Sequence, residues 1–295
     1  MAKLSLIIIT RNREEMLKRC LINLYRDISP DTEVIIVDNS DKPLGELEAE
    51  KFPGLRYIYD ISCKENMPKA RNRGLKEASG EIIAFIDDDT FVTSGWCRAI
   101  ITGFADGRIG AVGGPVLEEG DELEDYDGHY NFGDMFVRNK KMTIYTKGMI
   151  KVEWIRGCNM TFQRELLTKL GGFDETYIES GWGEEHDICA AVRQAGYDII
   201  YSPDAIVRHE AAPRVDYPRY LYGYRFQYLV GRHYSYFVLK YYLKSFYGLA
   251  KVYLEDTFYY FSLSLRNLSP KLFIAFLCNV AGKIAGVGVY IKKNV

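Results

Sequence analysis

Short apolar runs alternate with amphipathic segments over residues 4–112 of the chain. Nearly continuous apolar runs predict strands that are buried on both faces, and apolar residues spaced three and four apart predict helices. The predicted strands cover residues 4–10, 33–38, 55–59, 82–86 and 109–112, and the predicted helices cover residues 13–26, 69–78 and 94–104. This alternation predicts an α/β fold with a mostly parallel sheet flanked by helices.

The regular pattern stops in an acidic segment, residues 118–148, that also contains Gly and Tyr. Its composition predicts a mobile excursion with at most one hairpin. The pattern then returns, with predicted strands at residues 152–155, 159–162, 198–201 and 205–207 and predicted helices at residues 164–170 and 184–195. His209 lies just past the last predicted strand.

Beyond Pro213 the sequence becomes aromatic-rich with interspersed Lys and Arg, which predicts a series of helices. In residues 272–291 only Asn279 and Lys283 interrupt an apolar run that is long enough to span a bilayer. Because a Lys at mid-span is costly and glycines break the run, we expect this segment to lie in the membrane interface. The alternative is a helical bundle that packs on the rest of the protein, with its Tyr side chains as an amphipathic core.

Charge divides the chain into two parts of opposite sign. The net charge is −2, but residues 217–295 carry +9 and residues 1–216 carry −11, and 13 of the 23 tyrosines lie between residues 217 and 260. Basic and aromatic side chains together favour an anionic membrane surface, whereas no nucleic-acid-binding motif accompanies them. We therefore expect a body of residues 1–213, with halves at about 1–115 and 116–213, and a membrane-associated extension of residues 214–295.

Six cysteines are scattered without a CxxC pair, which favours reduced thiols in a cytoplasmic setting. The N-terminal LSLIIIT is too short an apolar run for a signal peptide and is interpreted as the first strand. With the basic extension, these features predict a protein bound peripherally to the inner face of the cell membrane. The sequence leaves the oligomeric state open.

The most informative stretch is EIIAFIDDDT, where the fourth predicted strand ends at Asp87, Asp88 and Asp89. In an open α/β sheet, ligands bind beyond the carboxyl ends of the strands. Three adjacent carboxylates repel one another and therefore need a positive charge nearby, and oxygen ligands suit Mg²⁺ or Mn²⁺. A polar turn that caps the next helix would need only one Asp. The triplet therefore predicts a site for a metal and its phosphate cargo.

Polar residues follow two other predicted strands at the same edge of the sheet. Thr10 and Arg11 follow the first strand, and Asp38 follows the second. A carboxylate such as Asp38 accepts hydrogen bonds from nucleobase N–H groups, and Arg71, in the helix before the aspartates, suits a base or a phosphate. Each signal is weak alone, but together they predict a nucleotide site.

These residues lie in motifs that resemble the family 2 glycosyltransferases. The motifs are LSLIIITRNR, VIIVDNS, NMPKARNRGL, FIDDDT, GCNMTF, LGGFDE and GEEHDICAAVRQAGY, in the family's order and usual spacing over residues 3–210. The resemblance implies the A-type glycosyltransferase fold, which contains a Rossmann-like sheet. It also implies transfer of a sugar from a nucleotide diphosphate donor, with inversion at the anomeric carbon. The expected location suggests a glycan or lipid-linked acceptor.

The resemblance also implies roles for individual residues. The nucleotide-sugar contacts would be Asp38 and Arg71 for the base and Asp87 and Asp88 for the ribose and the donor. Asp89 matches the metal-binding acid, with Asp87 beside it, and His209 matches a further metal ligand.

Three acids open the predicted helix at residues 184–195, namely Glu184, Glu185 and Asp187. The helix dipole favours their ionised forms, and an attacking hydroxyl needs a carboxylate that accepts its proton. The family commonly has an Asp where this chain has Glu185, so a role as the base keeps the chemistry but changes the reach by one methylene. We predict Glu185 as the base, with its neighbours as the other candidates. An acidic first turn with no further role is the alternative.

The positions of three other side chains along the chain predict whether each lies at the site or at the surface. Trp182 lies in the loop before the helix and is expected on the acceptor side. His186 and His129 are expected at the surface.

Two other functions agree with parts of the sequence. A strand followed by DDDT also resembles the nucleophile motif of haloacid-dehalogenase-type phosphatases, in which the first Asp attacks phosphorus. Two β-α units precede the motif here, however, and no later strand ends in the paired acids that such an enzyme needs. The other possibility is a membrane-docked protein that binds nucleotide sugars without catalysis, which the presence of Asp89, Glu185 and His209 disfavours.

Overall fold

The protein is described by a computed structural model for residues 3–45, 52–125, 143–179, 182–210, 223–242, 254, 257–258, 261–262 and 270–294. The chain forms two compact units, Met1–Ala212 and Pro213–Val295. The first unit, called the body below, has an α/β fold, and the second is helical where it is described. Most of the predicted acidic excursion, with His129, lies outside the described residues.

Thirteen strands occur in the described part of the body. They are β1 (Leu4–Thr10), β2 (Glu33–Asp38), β3 (Leu55–Tyr59), β4 (Ile82–Asp87), β5 (Thr90–Val92), β6 (Ile109–Gly113), β7 (Val116–Leu117), β8 (Glu124–Asp125), β9 (Ile144–Tyr145), β10 (Ile150–Val152), β11 (Met160–Gln163), β12 (Asp198–Tyr201) and β13 (Val207–His209). Eight of them form the central sheet, in the order β10-β12-β6-β11-β4-β1-β2-β3.

The central sheet is mostly parallel, as predicted. Strand β1 runs parallel to both β2 and β4, and β12 runs parallel to β6. Strands β10 and β11 run antiparallel to their neighbours. The register pairs Thr10 with Asp38 and Ile9 with Asp87. The carboxyl ends of β1, β2 and β4 therefore meet at one edge of the sheet, where an open α/β sheet binds its ligands.

A small second sheet, in the order β5-β13-β7, lies beyond this edge. Two of its strands are too short to have an apolar period and were not predicted. Strand β13 is antiparallel to β5, and the register pairs His209 with Thr90. His209 is thus the last residue of a strand rather than a residue past its end. This pairing brings His209 to the residue that follows the aspartate triplet.

Five α-helices flank the sheets in the described part of the body, and two long α-helices lie in the described part of the second unit. They are α1 (Glu14–Leu24), α2 (Met67–Glu77), α3 (Trp96–Thr102), α4 (Arg164–Lys169), α5 (Glu184–Gln194), α6 (Tyr224–Tyr242) and α7 (Pro270–Asn294). Helix α2 begins where Asn66 accepts a hydrogen bond from the Lys69 backbone N–H at 2.9 Å. Helix α1 begins after Arg13, one residue later than predicted, and Asn12 before it has a φ of 55°.

In the second unit, α6 and α7 pack closely through glycines. A Cβ on Gly282 would overlap the Tyr228 backbone oxygen, and a Cβ on Gly231 would overlap the Asn279 backbone oxygen. Lys283, the cation in the predicted apolar run, is only 5% exposed and donates to Thr257 Oγ1 at 2.9 Å. Helix α7 is long and apolar enough to cross a membrane, judged by length and composition alone. Of its most apolar 18-residue stretch, 28% is buried.

Candidate active site

The aspartate triplet lies where β4 ends, and its three side chains have different environments. The Asp87 side chain is 24% exposed, whereas those of Asp88 and Asp89 are 5% and 4% exposed. Strand β4 ends at Asp87 and β5 begins at Thr90, so the last two aspartates form the turn between these strands. Only Asp87 therefore presents a substantial part of its carboxylate to solvent.

Arg13 holds the two buried aspartates. Its Nη1 donates to Asp88 Oδ1 at 2.8 Å and to Asp89 Oδ2 at 3.0 Å. Thr10 Oγ1 donates to Asp88 Oδ2 at 2.7 Å. Burial raises the pKa of Asp88 to about 6, and the guanidinium opposes this rise. Arg13 was not among the predicted site residues, although it lies in the same TRNR motif as Thr10 and Arg11.

A group of possible metal-ligand atoms lies around Asp87, the partly exposed aspartate of the triplet. One ligand atom each from Asp87, Cys158 and His209 lies within 4.8 Å of the others, and His209 Nε2 is 3.1 Å from Asp89 Oδ1. Burial raises the pKa of Cys158 to about 12, so that its thiol stays protonated. The donors that remain are two carboxylates and one imidazole. This donor set fits a hard divalent cation such as Mg²⁺ or Mn²⁺.

Asp38, predicted as a contact to the nucleobase, has hydrogen-bond partners within the body. It is fully buried, and its Oδ1 accepts from the Ser40 backbone N–H at 2.8 Å. Its Oδ2 accepts from the hydroxyl of Tyr57 and from the Leu44 backbone N–H. Both oxygens therefore hold the loop after β2. This use reflects the short reach of Asp, which favours bonds to nearby backbone.

Two further predicted nucleotide contacts have different positions. Thr10 is 1% exposed, and its hydroxyl donates a hydrogen bond to Asp88. Thr10 therefore holds one aspartate of the triplet in place. Arg11 has a partly exposed side chain whose guanidinium lies 3.9 Å from both Asp41 and Glu65. Of these two, only Arg11 has a side chain that a ligand reaches directly.

Arg71 is also buried rather than open to a base. The side chain is 2% exposed, and Nη1 forms an ion pair with Glu184 Oε1. Nη2 lies 3.6 Å from Asp87 Oδ1. The guanidinium also lies over the ring of Phe173, with 5.5 Å from Cζ to the ring centroid. Burial lowers the pKa of Arg71, and the nearby acids oppose that shift. The sequence predicted Arg71 as a contact to a base or a phosphate, but the α2 face that carries Arg71 packs into the body.

The three acids of α5 separate clearly by environment. Glu184 is 4% exposed and pairs with Arg71. Asp187 is 4% exposed and accepts a hydrogen bond from the hydroxyl of Tyr177 at 3.0 Å. The Glu185 side chain is 21% exposed. Two of the three candidate bases are thus enclosed by their own partners, and Glu185 has the most accessible carboxylate.

The first turn of α5 is buried more fully than its apolar spacing predicts. Ile188 and Val192 are buried on the apolar side of α5, and Ala195, just past the end of the helix, is exposed. His186, expected at the surface, is 5% exposed, and its ring stacks on Trp154 with centroids 4.6 Å apart. Burial lowers the pKa of His186, which favours the neutral imidazole beside Glu185. Trp182, predicted on the acceptor side, is partly buried and lies just before the helix.

Comparison with family models gives two matches. The model described as glycosyl transferase family 2 matches residues 5–171, which is more than half of the chain. A model described as the N-terminal domain of galactosyltransferase matches residues 142–213. Together the two matches extend over the whole body.

Two curated relatives show the same relationship. A pre-mycofactocin glycosyltransferase of Mycobacterium tuberculosis is 25% identical over 212 residues, which cover 70% of this chain and 42% of the relative. The O-antigen chain rhamnosyltransferase RfbN of Salmonella typhimurium is 25% identical over 225 residues, which cover 74% of this chain and 70% of the relative. The chain thus spans less than half of the mycobacterial protein's length.

A solved structure shows the same fold. The mannosyltransferase PcManGT of Pyrobaculum calidifontis, in complex with GDP-Man and Mn²⁺, aligns with a TM-score of 0.56 and 18% identity. The alignment covers 100% of this chain and 88% of that protein. The fold prediction from the motifs is therefore confirmed, and the chain belongs to glycosyl transferase family 2.

Proposed function

We propose that the protein is an inverting, metal-dependent glycosyltransferase that moves a sugar from a nucleotide diphosphate donor to a hydroxyl of a glycan or lipid-linked acceptor. The observation that carries the proposal is the convergence of Asp87, Asp89 and His209 at the carboxyl edge of the sheet. Membership of the family supports the reaction class. The Mn²⁺ and GDP-Man in the Pyrobaculum mannosyltransferase support the donor class.

Asp87, Asp89 and His209 would hold the divalent cation. Such a cation offsets the charge that develops on the leaving nucleotide diphosphate. Arg13 keeps Asp89 oriented and neutralises part of the charge of the triplet. Arg11, which is partly exposed near Asp41 and Glu65, would contact the donor at the end of β1.

Glu185 would accept the proton of the acceptor hydroxyl as that oxygen attacks the anomeric carbon. Its carboxylate is accessible at the start of α5, while the carboxylates of Glu184 and Asp187 are enclosed by Arg71 and Tyr177. The imidazole of His186, whose neutral form is favoured by burial, lies 3.6 Å from Glu185 Oε1. Trp182, directly before α5, would face the acceptor.

The acceptor and the location follow from the second unit. Its residues 217–295 carry a net charge of +9, 13 of the 23 tyrosines lie between residues 217 and 260, and it includes the apolar helix α7. We infer that this unit binds the inner face of the cell membrane, where a lipid-linked glycan would be presented to the body. The O-antigen role named for the Salmonella relative is consistent with an acceptor of this kind.

The purified chain mixed with a panel of nucleotide diphosphate sugars, Mn²⁺ or Mg²⁺, and lipid-linked glycan acceptors tests the proposal. The expected result is release of nucleotide diphosphate that requires both metal and acceptor, with a product of inverted anomeric configuration by NMR. Release of inorganic phosphate without an acceptor would instead indicate a phosphatase. Tight donor binding with no turnover for any acceptor in the panel would contradict catalysis and favour a binding protein.

A further inference from the structure

We propose that Arg71 and Glu184 form a buried ionic link that positions Glu185 relative to the acids at the end of β4. The inference rests on the proposed function, because it assigns Arg71 and Glu184 as positioning residues for that reaction. Arg71 belongs to α2 and Glu184 begins α5. The link therefore joins an element of the first half of the body to the helix that carries the base.

The contacts of Arg71 are directed to both halves of the site. Its Nη1 pairs with Glu184 Oε1, and its Nη2 lies 3.6 Å from Asp87 Oδ1. Nη2 also approaches the backbone oxygen of Gly157 at 3.5 Å. The guanidinium of Arg71 thus contacts Glu184 in the second half of the body and lies near Asp87, the partly exposed aspartate of the triplet. Its planar fork suits this bridging position better than an ammonium group would.

The surroundings hold the guanidinium in place. It lies over the ring of Phe173, and the next residue of α2, Asn72, exchanges two hydrogen bonds of 2.8 Å with the Phe173 backbone. A Cβ on Gly157 would lie 3.3 Å from Arg71 Nη2 and 3.9 Å from Glu184 Oε1. A larger residue than Gly at this position would crowd both members of the ion pair.

A gain in the stability of the folded protein does not explain an ion pair that is buried this deeply. Both side chains are at most 4% exposed, and a buried ion pair often adds little stability relative to apolar residues of similar volume. Its geometric effect is more specific. Glu184 and Glu185 are adjacent in the first turn of α5, so fixing the carboxylate of one fixes the rotation of the turn that carries the other. The hydrogen bond between Tyr177 and Asp187 fixes the same turn from a second side.

Four variants test the link. They are Arg71→Met, Glu184→Gln, the double variant, and Arg73→Met as a matched control, because Arg73 lies on the same helix but pairs at the surface with Glu77. We expect Arg71→Met and Glu184→Gln each to lower kcat about 100-fold, since small displacements of a reacting group cost about that much. We expect the double variant to be no worse than either single variant. The affinity for a nucleotide diphosphate with Mn²⁺, measured by calorimetry, should stay at the wild-type value.

Other outcomes would overturn the proposal. If Arg71 contacts the nucleobase, Arg71→Met weakens nucleotide diphosphate binding and its effect adds to that of Glu184→Gln. If the pair is only structural, Tm falls while kcat of the folded variants keeps the wild-type value. Glu184→Gln removes the charge and keeps the volume, so it carries the test if Arg71→Met does not fold.

A readout without turnover separates this inference from the proposed function. Hydrogen exchange of the α5 amides from Asp187 onward should be faster in Arg71→Met and Glu184→Gln than in wild type, and unchanged in Arg73→Met. If the wild-type protein transfers no sugar, the proposed function fails while this measurement still tests whether the pair holds α5. Equal exchange in wild type, Arg71→Met, Glu184→Gln and Arg73→Met would show that the ion pair does not hold the helix.

Discussion

Individual acids in this protein acquire their properties from their partners. The aspartates of the triplet are adjacent in sequence, yet Asp87 is partly exposed while Asp88 and Asp89 are enclosed and share Arg13. The acids of α5 differ in the same way, because Glu184 and Asp187 have buried partners and Glu185 keeps an accessible carboxylate. Identical functional groups therefore have different chemical roles within a few residues.

Asp89→Ala should abolish metal-dependent binding of a nucleotide diphosphate. The change removes one proposed oxygen ligand and leaves Asp87 and His209 as an incomplete set. Calorimetry with GDP or UDP and Mn²⁺ measures the effect. Asp106→Ala, which alters a half-exposed Asp beyond α3, is the matched control and should bind normally. Unchanged binding in Asp89→Ala would refute the metal assignment.

Glu185→Gln should lower turnover at least ~100-fold, because the amide is unable to accept the acceptor proton. Donor binding should be unchanged, since the two side chains have the same size. Steady-state kinetics together with calorimetry separate the two quantities. Glu165→Gln changes an exposed acid in the first turn of α4 and should keep wild-type turnover. Comparable rates for Glu185→Gln and Glu165→Gln would assign the base to another residue.

At the scale of elements, small residues decide how closely helices approach. Helix α2 packs on the sheet through Gly74, where a Cβ would lie 2.5 Å from the Ile7 side chain. Helices α6 and α7 approach through Gly231 and Gly282, so closely that a Cβ at either would collide with the backbone of the other helix. Backbone has no rotamers with which to relieve such a collision, so the helices themselves must move.

Gly282→Ala should separate α6 from α7. The new methyl would collide with the Tyr228 backbone oxygen, at a cost of about 1–3 kcal/mol that outweighs the roughly 1 kcal/mol gain in helix propensity. Hydrogen exchange of amides in both helices measures the loss of packing, and faster exchange is expected. Gly288→Ala is the matched control, because nothing lies within 4 Å of a Cβ there. Slower or equal exchange in Gly282→Ala would contradict the close packing.

At the scale of the whole molecule, the two units have different chemistry. The body has the acidic balance and the candidate site, and the second unit has the basic balance and the apolar helix. The large apolar side chains of α7 that remain exposed are Phe273, Ile274, Leu277, Ile284 and Ile291. Lys283 is instead enclosed, where it donates to Thr257 and lies over the Tyr234 ring. The cost of a mid-span Lys, which argued for an interfacial position, is therefore reduced by these partners.

Ile284→Asp should weaken binding of the whole chain to vesicles. Ile284 is 70% exposed on α7, and an Asp there removes apolar area and adds a charge that anionic lipids repel. Co-sedimentation with phosphatidylglycerol-containing vesicles measures the effect. Ile22→Asp makes the same change at an exposed position of α1 in the body and should bind like wild type. Equal loss in both variants, or none in either, would contradict membrane binding through α7.

Local sequence determined much of the body. Strands β1, β2, β3 and β12 have the predicted bounds, because apolar runs bounded by polar residues depend only on neighbours in the chain. The aspartate triplet was likewise evident, since its position after a buried strand places it at the ligand-binding edge of any such sheet. Motif order gave the family, which the match over residues 5–171 confirms.

Only the tertiary structure decided which side chains face the crevice and which lie beneath it. Asp38 and Arg71 were predicted as ligand contacts, yet both are enclosed by partners that are distant along the chain. Arg13, His186 and the short strand β5 gave no periodic signal, because their environments arise from strand pairing and from packing between elements. Burial and the choice of ionic partner are properties of the folded arrangement. Sequence thus determined the types of groups at the site, and the fold determined which of them remain accessible.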